Sequence, residues 1–214
     1  MNIALLRVVA QRLAGPRPAM PADVVAHLSA LQGQDLRGAV RSVALRTDPA
    51  VGDLAAREAA AQAALARGTV VRSWPMRGTL HLVPAQDLAW MLSLTRPRME
   101  AGAARRREQL GIDEPLYARA RDLVEAALGA RGPLSRADLA EVLEPVGAGE
   151  VQGRTYHLLH LLAIREVIVQ GPPHPTRPGE QHFAPYAEWI PDPLRLAPDE
   201  AVARWAESYF RSHG

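Results

Sequence analysis

Two amides and a carboxylate surround one glycine in Leu31-Gln32-Gly33-Gln34-Asp35. In a helix, residues two apart point to nearly opposite sides, whereas in an extended chain they share a face. Gly33 makes an extended turn easy. Gln32 and Gln34 would then face the same way, each offering an acceptor and a donor to a single water. An ordinary helix–turn with two solvated glutamines fits the same spacing. Asp35 has the chemistry of a helper base, but its place just ahead of Leu36, Val40 and Val43 reads as a helix cap.

A second segment is Arg72-Ser73-Trp74-Pro75-Met76-Arg77-Gly78-Thr79-Leu80-His81. A hairpin with Arg at its base and tip, and Trp and Met near its turn, suits insertion into a DNA groove. A plain structural wing is the other reading. Trp74, Leu80 and Leu82 belong to a core in either case, which leaves Arg72, Arg77 and His81 as candidate DNA contacts. Arg105-Arg106-Arg107, with Arg96 and Arg98 nearby, forms a basic stretch that either contacts phosphates or is a solvated helix face. His157 and His160 stand three apart on a helix, but no third ligand accompanies them. They read as polar residues of a recognition-type helix, and no metal centre is expected.

The wider composition excludes several classes. The chain of 214 residues has no cysteine, which removes disulfides, zinc ribbons and thiol catalysis. It has no His-Glu-x-x-His, no phosphate loop ending in Lys, no Gly-x-Ser-x-Gly and no Gly-x-Gly-x-x-Gly. No run of about 18 apolar residues marks a membrane span, and the N-terminal segment lacks the features of a signal peptide. The cytoplasm and a monomer are the simplest expectations. All 25 basic residues are Arg, which grips phosphate in a bidentate way and stacks on bases. A GC-rich coding sequence would produce the same bias.

The elements that must position these residues are set by periodicity and punctuation. A first helix spans Ile3 to Leu13 with Leu6, Val9 and Leu13 inward, and a second runs from Pro21 to Leu31. A third starts at Asp35, with Leu36, Val40 and Val43 inward and Arg37 and Arg41 outward, where they join the candidate DNA contacts. An Ala-rich helix from Asp53 to Arg67 ends at Gly68, and a hairpin spans Thr69 to Val83. Helices near Ala85–Leu94 and Arg98–Leu110 come next, with Gly111 closing the second. The pattern then restarts: helices from Glu114, from a Ser135–Asp138 capping box and from Thr155, then strands at Glu166–Gln170 and Gln181–Pro185. A last amphipathic helix, Asp199 to Phe210, places Val202, Trp205 and Tyr209 on one face. The expected architecture is mainly α with short β-hairpins, in tandem winged-helix units. We expect a first unit over residues 1–112, a second over 113–190, and the first helix of a truncated third over 191–214.

At Leu31 to Asp35 and Arg72 to Val83, supported by Ser208-Tyr209-Phe210-Arg211-Ser212-His213-Gly214, the chain resembles the winged-helix DNA glycosylases of the AlkZ/YcaQ type. The resemblance implies a monofunctional glycosylase that removes bulky alkylated purines, crosslinked ones included, from double-stranded DNA without a cofactor. It implies that Gln32 and Gln34 position the attacking water and that the hairpin engages the duplex. The family's residue between the two is usually aliphatic, so Gly33 is expected to loosen the turn. A non-catalytic winged-helix DNA-binding protein and a protein-interaction module are the competing classes, because fold alone does not give function.

Overall fold

The computed structural model describes residues 2–177 and 179–213. These form a mostly helical chain around one antiparallel sheet. Helices α1 (Ile3–Ala10) and α2 (Pro21–Leu28) lead into a two-residue strand β1 (Leu31–Gln32), then α3 (Leu36–Arg46) and α4 (Leu54–Ala66). The hairpin of β2 (Val70–Met76) and β3 (Thr79–Pro84) comes next, then the long α5 (Leu88–Gln109). The second half repeats the order with α6 (Glu114–Arg131), α7 (Arg136–Val142), α8 (Arg154–Ile164), β4 (Ile168–Pro173) and β5 (Gln181–Pro185). A one-turn α9 (Tyr186–Trp189) and α10 (Pro198–His213) close it. Each half is winged-helix-like: helices first, then a hairpin.

Local chemistry sets the helix starts. Asp35, Asp53 and Asp113 each accept a backbone N–H of the first turn of α3, α4 and α6, and Ser135 with Asp138 forms the expected capping box of α7. Such caps contribute about 1 kcal/mol each. Packing does the rest. Val24, Leu28, Leu36, Val40, Val43 and Leu65 build one core beneath β2 and β3, joined by Val70 and Leu82. Val71 and Val83, one residue along, point to the other face and enter the larger core of α5, α6 and α8. The first hairpin is therefore the wall between two cores.

The two hairpins do not stand apart as separate wings. The strand order is β1-β3-β2-β4-β5, and β2 pairs with β4 at Arg72 opposite Gln170. One sheet thus spans both halves.

Four helices differ from the sequence expectation, and α2 is the first, ending at Leu28 with Leu31 in β1 where a helix through Leu31 was expected. No residue of α1 is buried, so its Leu6 and Val9 stripe is not a core face; the helix lies against α10. Helix α5 runs unbroken through Pro97. The proline removes one N–H, and Ser93 and Pro97 both face solvent, where water replaces the lost partner. Helix α10 buries Ala201, Ser208 and Ser212 while Val202 and Tyr209 are exposed. The reason is close approach: Ser212 Oγ donates to the Ser208 carbonyl at 2.7 Å, so its hydroxyl needs no outside partner. Trp205 then meets Trp90 edge-to-face at 5.5 Å. Gly214 of the C-terminal motif lies outside the described residues.

Candidate functional site

The residues after α2 cannot continue as helix, because Ser29 turns the chain at a φ of 62°. Beyond that turn the backbone is extended. Leu31 and Gln32 pair with Leu82 and His81 at the edge of the sheet, and Gly33 N donates to the Leu80 carbonyl at 2.8 Å. In this extended backbone the two amides do share a side. Gln32 Nε2 donates to Gln34 Oε1 at 3.2 Å, with both residues exposed.

Gly33 tightens the turn where looseness was expected. It is buried, and a Cβ there would lie 3.2 Å from the His81 carbonyl carbon and the Leu82 nitrogen. A side chain would press on the β3 backbone; glycine lets β1 seat fully against it.

Arg72 completes the support. Its Nε donates to the Gly33 carbonyl at 2.6 Å, one terminal nitrogen to the Gln34 carbonyl at 2.9 Å, and the other to Gln170 Oε1 at 3.0 Å. It is only 8% exposed, and burial lowers its pKa while Asp35 opposes the shift. Expected at a DNA interface, Arg72 is instead committed inward, because three of its five N–H donors, on all three nitrogens, go to these inward acceptors. Its partner Gln170 comes from the second half, 98 positions along the chain, and no local sequence signal could have identified it.

Asp35 accepts from Arg37 N at 3.0 Å as the α3 cap. With Gln32, Gln34 and Ser42 it lines a shallow pocket of about 420 Å³. The other predicted contacts spread over different surfaces. Arg37 is exposed beside Gly179, and Arg41 is exposed and paired with Glu58 at 3.1 Å. Arg77 occupies the tip of the first hairpin. With Gly78 it has positive φ, the backbone of a tight two-residue turn. Arg105 and Arg106 are exposed on α5, and Arg107 is half-buried.

His81 is buried behind Gln32, with Nδ1 2.9 Å from the Thr79 carbonyl. Burial holds its pKa below the usual histidine value; the Thr79 carbonyl opposes this and Arg77 adds to it. Its ring braces the hairpin, and a duplex at the surface would not meet it directly. His160 likewise turns inward, its ring 5.4 Å from Trp74 in an edge contact, where burial, then His157 and Arg107, depress its pKa to about 4. Among the described residues no group of three or more potential metal ligands occurs, and no helix is long and apolar enough to cross a membrane.

The family model described as DNA glycosylase AlkZ-like matches residues 25–214. No curated protein matches the chain. Among solved structures, the Streptomyces sahachiroi DNA glycosylase AlkZ superposes with a TM-score of 0.74 at 25% identity, over 97% of this chain. The alignment covers 55% of that protein, so this chain spans about half its length.

Proposed function

This chain belongs to the AlkZ-like DNA glycosylase family, and from that premise we propose that it hydrolyses the N-glycosidic bond of cationic alkylated purines in duplex DNA. The observation that carries the reading is the Gln32–Gln34 contact on a braced edge strand. The contact uses one N–H of Gln32 and one lone pair of the Gln34 carbonyl oxygen. Gln32 Oε1 remains to accept from a water, and Gln34 Nε2 remains to donate to it. One lone pair of that water stays open for attack.

An alkylated purine already carries a positive charge. It departs with the electron pair of the C1′–N bond and becomes neutral, leaving an oxocarbenium sugar. The held water bonds to C1′ and releases its proton to solvent. Such a reaction needs a placed nucleophile more than a strong base, and fixed dipoles and positioning supply that. Asp35 adds negative charge at the pocket while capping α3. Arg72 and Gln170 act as positioning residues, and Arg37, Arg41, Arg77, Arg105, Arg106 and Arg107 contact phosphates. Unmodified purines are poor leaving groups and are not released.

The test is base release from a duplex carrying one N7-alkylguanine, scored as alkali-labile breaks. Wild type releases the base; Gln34→Ala loses about 100-fold or more, the magnitude seen when one positioning dipole is removed, with DNA binding retained. Equal release by wild type, Gln32→Ala and Gln34→Ala would overturn the water site. Salt-sensitive binding with no release by wild type would make this a DNA-binding protein instead.

A further inference from the structure

A cavity of about 910 Å³ lies away from the glutamine pair. It lies at the hairpin tip, between Met76, Arg77 and Gly78, helix α5, helix α8 and Trp205 of α10. Its volume falls within the roughly 300–1,000 Å³ range of small-ligand sites. Two kinds of side chain line it. Met76, Met99, Tyr156 and Trp205 offer apolar and aromatic surface. Arg77, Arg98 and Arg106 add three guanidinium groups, none in an ion pair with any described residue, and no carboxylate lines the cavity.

The aromatic wall is built, not incidental. Tyr156 stacks on His160 at an interplanar angle of 20°, and Trp74 meets both rings edge-on. Tyr156 nevertheless keeps 38% exposure and lines the cavity, with the Arg136 guanidinium 5.7 Å from its ring centroid. A planar ring carrying a negative charge matches this lining: ring on aromatic and thioether surface, anion on the guanidinium groups.

We propose that the hairpin-tip cavity takes a single unstacked nucleotide of a DNA strand, base against Tyr156, Met99 and Trp205 and phosphate on Arg77, Arg98 and Arg106. This rests on the reading of DNA as substrate, and it assigns the hairpin tip a task separate from the water site. Sequence-tolerant stacking of unpaired bases on aromatic side chains is a general mode of single-strand recognition. A duplex with one base out of the stack would present such a group; a fully paired duplex would not.

Gly102 provides a clean block. It lines the cavity from within α5, and a Cβ added there meets nothing within 4 Å. Gly102→Phe therefore fills the cavity while raising helix propensity. The measurement is fluorescence anisotropy with two duplexes, fully paired and carrying one bulged nucleotide. Wild type should bind the bulged duplex about tenfold tighter, in the range expected for one stacked base. G102F should bind both with the wild-type affinity for paired DNA, and Tyr156→Ala should shrink the preference several-fold. No preference in wild type, or a preference undiminished in G102F, overturns the proposal while leaving duplex binding and base release intact. If wild type binds neither duplex, the DNA reading has failed by itself. Titration with dAMP, read by tryptophan quenching, then decides the cavity: quenching lost in G102F supports a nucleotide site, and no quenching overturns it.

Discussion

The two ends of the first hairpin work differently. At the base, the glutamine pair is held by main-chain geometry: edge-strand pairing, the close seat of Gly33 and a buried guanidinium on two carbonyls. At the tip, the cavity is held by side-chain packing of Tyr156, His160 and Trp74, with a turn of only two residues at its rim. The base is built like a hydrogen-bonded clamp and the tip like a small core open on one side. A clamp fails abruptly when one donor is lost. A packed wall gives by degrees, because its contacts are many and individually weak.

Arg72→Ala should have the largest effect. It leaves the Gly33 and Gln34 carbonyls and Gln170 Oε1 without their partner, and each buried unmet group costs about 1–3 kcal/mol. We expect about 3–5 kcal/mol lost in urea unfolding and base release lost with it. Arg72→Lys, able to reach only part of the set, should fall between. An Arg72→Ala protein with wild-type stability and release would dissolve the distinction between the two ends.

The tip responds to pH. His160 is half-buried and held neutral, with its pKa lowered to about 4 against an ordinary 6.5. Below pH 6.5 the unfolded chain binds a proton that the folded chain refuses, so this contribution is intact above pH 6.5 and is lost as pH falls towards 4. Between pH 7 and pH 5 the loss is about 2 kcal/mol. His160→Gln should show a correspondingly shallower fall in stability over that interval, whatever its offset at pH 7. Identical slopes for the two proteins would mean that this ring is not held neutral.

Gly33→Ala sharpens the description of the base. Its Cβ would need the β3 backbone to give by a few tenths of an ångström. We expect about 1 kcal/mol of destabilisation and a reduced rate of base release with unchanged DNA affinity. A gain in release would show that the glycine holds the pair too close. The smallest effect belongs to Arg106→Ala at the tip. Stability should stay within about 0.5 kcal/mol, while the slope of log affinity against log salt should fall by about 1.

Much of this was legible in the residues themselves. Asp35 before Leu36, Ser135 before Asp138, and the alternation through Val70, Val71, Leu82 and Val83 carry local rules that act over a few positions, and the structure obeys them. The extended reading of Gln32-Gly33-Gln34 was available for the same reason, since only an extended chain puts both amides on one side. The inward turn of Arg72 was not. An arginine in a hairpin has no local reason to be buried, and it is buried because β4 brings Gln170 beside it and β1 turns two carbonyls towards it. The fusion of the two hairpins, the serine-lined seat of α10 and the cavity beside Gly102 have the same origin. Caps, turns and periodicity are short-range, and the sequence states them directly. Which strand edges meet, which donors find distant acceptors and where space is left over depend on packing between residues tens of positions apart, and only the tertiary structure decided them.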